Sequence, residues 1–183
     1  MSFLKKVTDM VEDTADLLSN ALGKPDTVAP SGRPQPVQKT AYLITFNPRI
    51  PSEGNKGLIE VMGWKNPEEL AAQYIADLRE VSGGYANYSI VKRDVVDSFP
   101  AKVDGFVYDP DKFVVSWHSK GKDGGGFHTP DWTDYHKLVA QFNIIPQINE
   151  GKFDEVWFFG FPYGGFYESR MAGPALFGAT PRP

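Results

Sequence analysis

The sequence predicts a single α/β domain at residues 40–177, with a mostly parallel sheet in a three-layer-like arrangement. Three observations support this fold class: apolar runs typical of buried strands, helices with clear start and stop signals, and the alternation of the two along the chain. Parallel strands joined by crossover helices are the usual solution for that order. We expect an amphipathic helix at 1–23, a proline-rich linker at 24–39 and a tail at 178–183.

The N-terminal segment "MSFLKKVTDMVEDTADLLSNALG" has apolar residues at spacings of three, four and seven, which trace one stripe of a helix. The stripe contains Phe3, Leu4, Val7, Met10, Val11, Leu17, Leu18 and Leu22. Three interpretations are open: the stripe packs on its own domain, binds a protein partner or a second copy in an assembly, or makes a peripheral membrane contact. Acidic residues outnumber lysines on the polar side, which disfavours the membrane contact.

The linker "KPDTVAPSGRPQPVQK" holds four prolines and, apart from two valines, no large apolar residue. This composition favours an extended, semi-stiff spacer. A helix that belongs to the core rarely needs such a spacer, so the order helix, linker, domain favours a tether to a partner.

Composition excludes several functions. A net charge of −4 suits phosphate backbones poorly, so we expect no nucleic-acid binding. The absence of cysteine excludes disulfides, thiolate metal sites and cysteine nucleophiles. No apolar run approaches the roughly 18 residues that cross a bilayer, and acidic residues interrupt the N-terminal segment where a signal peptide needs an apolar core. We therefore expect a cytoplasmic protein that inserts into no membrane and leaves the cell only by a non-classical or assembly-based route.

The first two elements of the domain are well marked. "TAYLITF" predicts a buried strand that stops before an Asn-Pro pair. "NPEELAAQYIADLREVSGG" predicts a helix in which Asn66 is the cap, Pro67 occupies the first turn and Glu69 completes a capping box. A glycine pair ends this helix. Its expected buried stripe is Leu70, Tyr74, Leu78 and Val81.

The later elements follow in order. "YANYSIVKRDVVD" predicts a strand near a sheet edge, because Lys92 and Arg93 interrupt it. "GFVYDPDKFVVSW" is compatible with a hairpin turning at 109–111 or with a helix that begins near Phe113. "TPDWTDYHKLVAQFN" predicts a helix that is capped by Thr129 and opened by the next proline, and "DEVWFFGF" predicts the last strand. The apolar face of that helix would hold Trp132, Tyr135, Leu138, Val139 and Phe142.

Function in parallel sheets gathers beyond the carboxyl ends of the strands, where "NPRIPSEGNKG" and "FGFPYGGFYESRMAGP" fall. The second run combines glycines, which permit unusual backbone shapes, with prolines, which restrict them, and with rings that can stack on a ligand, namely Phe161, Tyr163, Phe166 and Tyr167. The alternative interpretation is a rigid aromatic loop that covers the sheet end, with Glu168 and Arg170 paired. The candidate ligand-binding residues are Asn47, Tyr163, Tyr167, Glu168, Ser169 and Arg170.

All three histidines lie within nineteen residues, in "HSKGKDGGGFHTPDWTDYH". Imidazole and carboxylate groups suit zinc and similar ions, which makes His118, His128 and Asp131 the candidate metal ligands. Their spacing matches no known zinc pattern, so we predict neither a metal nor another cofactor. His128 and Glu168 are also the candidate acid or base residues beside a pocket.

The runs "GWKNPEELAAQYIADLREVSGGYANYSIV", "FHTPDWTDY" and "DEVWFFGFPYGGFYESRMAGP" resemble a family of uncharacterised bacterial proteins, many of them secreted. The resemblance spans about residues 42–174 and implies no particular activity. Members of that family continue beyond the A-G-P run, whereas this chain ends nine residues later, which favours a domain recruited into an assembly. The resemblance implies that the family's shared segments contain Asn47, Pro48, His128, Asp131, Tyr163, Glu168, Ser169 and Arg170.

Two functions fit these observations. The first is a non-enzymatic structural or binding module that residues 1–23 attach to a larger protein assembly. The second is a hydrolase-like enzyme acting on a carbohydrate or peptide polymer in a pocket at the strand ends. The enzyme requires Glu168, His128 and Asn47 to converge on one open cleft. The absence of a recognisable catalytic motif and the order of the segments favour the module.

Overall fold

The computed structural model describes residues 35–167. The predicted N-terminal helix, most of the linker, the tail and the candidates Glu168, Ser169 and Arg170 lie outside the described residues. The end of the predicted linker belongs to the sheet, because the first strand begins at Val37 instead of Thr40. Within the described residues, no helix combines the length and the apolar character that a membrane span requires.

Five strands and five α-helices make up the described part of the chain, with a 3-10 turn at Pro51–Glu53. The strands are β1 Val37–Phe46, β2 Arg49–Ile50, β3 Lys56–Gly57, β4 Ala86–Val96 and β5 Glu155–Phe159. The helices are α1 Leu58–Met62, α2 Pro67–Val81, α3 Pro110–His118, α4 Tyr135–Gln141 and α5 Ile144–Asn149.

The main sheet has three strands in the order β4-β1-β5, and both neighbours run parallel to β1. This confirms the predicted mixed α/β fold with a parallel sheet, and it confirms that β4 lies at an edge. Strand β1 is central, so its second half is buried on both faces and reads as a continuous apolar run. Strands β2 and β3 form a separate antiparallel pair beyond the end of β1.

The two faces of the sheet contact different helices. Tyr42 and Ile44 of β1 point to the face covered by α4 and α5, where they share a core with Leu138 of α4. Side chains alternate along a strand, so Trp157 of β5 points to the other face. There its ring meets Tyr74 of α2 in an edge-on contact, with 5.4 Å between the ring centroids.

A second core lies beyond the carboxyl ends of the strands and is built mainly from aromatic rings. Its buried members are Ile50, Leu58, Phe99, Tyr108, Phe113 and Val114. Phe161, just after β5, packs against this core and also against the core beneath the sheet, which is the one on the face covered by α4 and α5. The two cores are therefore continuous, and the segment that follows β5 joins them.

Helix α3 resolves the choice between hairpin and helix. Asp109 caps it by accepting a hydrogen bond from the Lys112 amide, and Pro110 occupies the first turn. The hairpin interpretation was wrong because this cap and this proline start a helix, and Phe113 and Val114 then bury their side chains in the aromatic core.

The helix predicted with Thr129 as its cap begins five residues later than expected, at Tyr135, where Asp134 caps it through the Lys137 amide. Thr133 lies instead opposite Lys102 in an isolated antiparallel bridge, whose hydrogen bonds run from the Val103 amide to Trp132 and from the Asp134 amide to Ala101. The Thr133 amide donates to the Gly165 carbonyl. Those long-range bonds compete with helix formation and keep the segment extended. Trp132, predicted on the buried face, is 60% exposed.

The buried stripe of α2 also differs from the prediction. Ala71 is its fully buried residue, and Ile75 and Leu78 are half-buried. Tyr74 is 52% exposed and Val81 is 82% exposed. The helix therefore rests on the sheet along a line at positions i, i+4 and i+7 from Ala71, which places Tyr74 at the side of the contact.

The cap of α2 is a testable feature. Asn66 accepts a hydrogen bond from the Glu68 amide at 2.9 Å, whereas the capping box predicted for Glu69 requires a bond to the third helical residue. We expect Asn66→Ala to lower the free energy of unfolding by about 1 kcal/mol in urea denaturation. Glu69→Ala is the matched control and should change it by less than about 0.5 kcal/mol. An equal loss in both variants would show that the capping box forms after all.

Asp154 makes a contact at the start of β5 that we expect to be sensitive to acid. Its carboxylate accepts from the Thr40 amide, the Thr40 hydroxyl and the Lys39 ammonium. The Thr40 amide and then Lys39 lower the pKa of Asp154 from 3.8 to about 2. A depressed carboxyl pKa stabilises the fold above pH 3.8, and that contribution is lost as the pH falls towards 2. We expect Asp154→Asn to flatten the fall of thermal stability across this window, and an unchanged slope would contradict the assignment.

Candidate functional site

Asn47 follows β1 at the carboxyl edge of the sheet, as predicted, but its side chain is hydrogen-bonded to the backbone. Its side-chain oxygen accepts a hydrogen bond from the Ile59 amide at 3.0 Å, in the first turn of α1. A Cβ on Gly57 would lie 2.5 Å from the Asn47 amide nitrogen, so glycine is required for this approach. Asn47 therefore ties α1 to the end of β1, and its carbonyl oxygen is committed to that contact.

The described part of the aromatic loop, residues 159–167, packs its large rings inward. Phe161 lies 5.0 Å from Phe99 and 5.5 Å from Phe113, measured between ring centroids. Phe166 lies 5.6 Å from Phe46 in the core beneath the sheet. A Cβ on Gly160 would stand 2.3 Å from the Phe166 ring, which explains that glycine by close packing. These rings fill the two cores instead of lining an open cleft.

Tyr163 and Tyr167 are the loop's half-exposed rings, at 43% and 50% exposure. Tyr163 stacks on Phe127 with 3.6 Å between centroids and 7° between planes, so one of its faces is covered. The Tyr167 hydroxyl donates to Asp131 at 2.9 Å, and its carbonyl accepts from the Tyr135 hydroxyl. Both predicted ligand-binding tyrosines are thus attached to the fold.

Lys102 is the residue at this site that sequence reasoning missed. Its side chain is fully buried, and the ammonium lies 2.5 Å from the Asp131 carboxylate and 2.8 Å from the Tyr163 carbonyl. The ammonium also lies 5.4 Å from the centre of the Tyr108 ring. Burial lowers the pKa of Lys102, and the hydrogen bond that its ammonium donates to Asp131 opposes that shift. The only signal in the sequence is a lysine between Ala101 and Val103, and many exposed lysines have such neighbours.

His128 belongs to a second ion pair nearby. Its Nε2 lies 2.7 Å from the Asp104 carboxylate, and its ring stacks on Phe106 with 3.8 Å between centroids. The hydrogen bond from the Phe106 amide, and then the one from His128, hold the pKa of Asp104 below its usual range. Since a carboxylate can only accept, Nε2 carries the proton, and Nδ1 is the nitrogen available for other chemistry. The His128 amide donates to the Tyr108 hydroxyl at 2.9 Å.

The three candidate metal ligands have separate partners. Asp131 pairs with Lys102, His128 pairs with Asp104, and His118 is exposed at the end of α3. Among residues 35–167, no group of three or more His, Asp or Glu side chains is arranged to hold a metal ion. Asp131 and His128 therefore act here as members of ion pairs.

The geometry thus gives a contact inside the fold to every described candidate except His118, which is exposed. Asn47 supports α1, Asp131 and Tyr163 fix the buried lysine, and His128 is oriented by Asp104. The resemblance to a bacterial family remains a prediction. Comparison of the chain with protein-family models, with curated proteins and with solved structures gives no match.

Proposed function

We propose that the chain is a non-enzymatic structural or binding module, attached to a larger protein assembly through residues 1–23. The observation that carries the proposal is the buried Lys102–Asp131 pair, which fastens the loop after β5 to the rest of the domain. An enzyme site needs polar groups that are free to meet a substrate. Of the polar groups predicted for that role, Asn47 and His128 are already bound to the fold, and Glu168 lies outside the described residues.

The finer form of the proposal adds three elements. The domain is a three-layer α/β unit, carried on a proline-rich linker. The partner is a protein or a second copy of this chain, which buries the apolar stripe of the N-terminal segment. The net charge of −4 argues against a nucleic-acid partner, and the acidic polar face argues against a membrane surface.

Co-purification from the native cell tests the tether, by comparing the full chain with one that lacks residues 2–23. Two single variants sharpen the comparison, because Leu18→Asp and Asn20→Asp add the same charge on the apolar stripe and on the polar side respectively. We expect a stoichiometric partner with the full chain and with Asn20→Asp. The truncated chain and Leu18→Asp should lose it. A full chain that is monomeric and partner-free would contradict the proposal.

A hydrolase-like function on a carbohydrate or peptide polymer remains the second candidate, and one observation favours it. Asp104 orients the His128 ring as an acid or base is oriented in many enzymes, with Nδ1 left for proton transfer. If this candidate is right, His128→Gln should cut hydrolysis of a glycan or peptide panel by roughly 100-fold or more. Asp104→Asn should shift the pH profile, and Lys122→Gln should change neither. An absence of hydrolysis by the intact chain across the panel would exclude this candidate.

A further inference from the structure

A cavity of about 380 Å³ lies between the start of α3, residues 106–109 and the turn at residues 124–126. Its size is in the range of small-molecule sites, which are mostly apolar with a few placed polar groups. Phe106, Tyr108 and Phe113 supply apolar lining, and Lys112 and His128 supply polar atoms.

The polar acceptors around this cavity are largely occupied. One oxygen of Asp109 accepts from the Lys112 amide at 2.9 Å, and both oxygens of Asp104 are taken by the Phe106 amide and by His128. The hydroxyl of Ser116 donates to the Asp123 carbonyl at 3.0 Å. His128 therefore offsets the charge of Asp104 when it is protonated, whereas Asp109 keeps its negative charge at the edge of the cavity.

The groups that stay available at this cavity are donors. Lys112 lines the cavity, and in the part of the chain that the structure describes its ammonium has no carboxylate within 4.0 Å. The amides of Gly124 and Gly125 donate no hydrogen bond to a described residue. The exposed Lys112 and the two glycines all line this cavity, so three donors without an acceptor among the described residues lie at its margin.

The turn holds these amides close to the lysine for a steric reason. Gly124, Gly125 and Gly126 have φ of +71°, +97° and +71°, a conformation that favours glycine. A Cβ on Gly124 would lie 2.5 Å from the Lys112 carbonyl and 2.8 Å from the Ser116 amide. The turn is therefore seated directly on the first turns of α3, beside the residue that carries the ammonium.

We propose that this cavity binds a small organic anion, with its oxyanion at the Lys112 ammonium and the Gly124–Gly126 turn and its apolar body against Tyr108 and Phe113. An ammonium beside turn amides matches an oxyanion, because each supplies a donor to an acceptor-only group. The aromatic lining matches an apolar body. This site goes beyond the tether function and uses described residues alone, so either can fail without the other.

The test is a titration of the isotope-labelled full chain, followed by amide chemical shifts, with benzoate, its neutral isostere benzamide and inorganic phosphate. We expect benzoate to shift the amides of Gly124, Gly125 and Gly126 saturably and more tightly than phosphate. Lys112→Gln should weaken benzoate binding roughly three- to fivefold, as for an exposed ion pair. Lys122→Gln, which removes an exposed lysine outside the cavity lining, should leave it unchanged.

Each other outcome overturns a defined part of the proposal. If benzamide binds as well as benzoate, the site does not recognise an oxyanion. If phosphate binds as tightly as benzoate, the site does not recognise an apolar body. If Lys112→Gln and Lys122→Gln weaken benzoate binding equally, the effect comes from the overall charge of the protein and not from Lys112 at the cavity. No saturable shift with any of the three probes would remove the site.

Discussion

Lys102→Met is expected to lower the free energy of unfolding by about 3–5 kcal/mol, because it leaves Asp131 in the interior without its cation. The Lys102 side chain has no exposed area, and Asp131 is only 19% exposed. The substitution also leaves the Tyr163 carbonyl without the donor it accepts from at 2.8 Å. Urea denaturation at neutral pH measures the loss, with the slope of the transition as a check that the fold is unchanged.

The control for this prediction is Lys152→Met, which removes the same charge from a surface pair. The side chains of Lys152 and Glu150 are both 58% exposed, so that pair should contribute no more than about 1 kcal/mol. Replacing both partners, with Lys102→Met and Asp131→Leu together, should recover much of the stability, because no uncompensated charge then remains. A loss in Lys102→Met no larger than in Lys152→Met would show that the buried pair contributes little.

Burial also gives Lys102 a pH dependence of predictable sign. Its pKa in the folded chain is lowered, so at alkaline pH the unfolded chain keeps this proton longer than the folded chain does. Lys102 by itself therefore makes the free energy of unfolding rise with pH, between its folded pKa and its ordinary value of 10.5. The amount by which wild type is more stable than Lys102→Met should therefore widen as the pH rises across that range, and a narrowing would contradict the lowered pKa.

Gly165→Ala is expected to lower the free energy of unfolding by about 2–5 kcal/mol, the sum of a backbone cost and a steric cost. Gly165 has φ +83°, where alanine is disfavoured. An added Cβ would stand 2.8 Å from the Lys102 ammonium nitrogen, 2.8 Å from the Thr133 amide and 2.9 Å from the Asp131 carbonyl. Two of those three atoms are backbone, so the contact is relieved only by moving the loop.

Gly151→Ala separates the two costs. Gly151 has φ +71° and no atom within 4 Å of an added Cβ, so this variant carries the backbone cost without the steric one. We expect it to lose about 1–2 kcal/mol in the same urea experiment. If the two glycine variants lose the same amount, the packing of the loop against Lys102 is looser than these distances indicate.

Local patterns in the chain were sufficient for the three strands of the main sheet and for α2, but they did not predict the short β2–β3 pair. The run after Thr40 is apolar and β-branched, and β1 forms there because a central strand of a parallel sheet is buried on both faces. Asn66 and Pro67 start α2 as predicted, since a cap and a first-turn proline act on neighbouring amides. The presence of Lys92 and Arg93 correctly predicted that β4 lies at an edge, because charged side chains are tolerated where one side of the strand is open.

Contacts between distant segments explain why the predicted start of α4 and the predicted buried face of α2 were wrong. The helix after Thr129 starts late because the Gly165 carbonyl and Lys102 hold Thr133 in an extended shape, and both lie about 30 residues away along the chain. No local pattern reports such a bond. Tyr74 is exposed for a similar reason, since the rotation of α2 depends on the shape of the sheet beneath it.

The residues that matter at the candidate site divide in the same way. Composition identified the loop after β5 as aromatic and glycine-rich, and it left a rigid cover and a ligand pocket open as alternatives. The partners of that loop follow from tertiary contacts alone: Lys102 and Asp131 are 29 positions apart, and the Tyr163 carbonyl is 61 positions from Lys102. Whether a lysine is solvated or buried depends on the surface that other segments bring to it, and a single sequence carries no direct record of that surface.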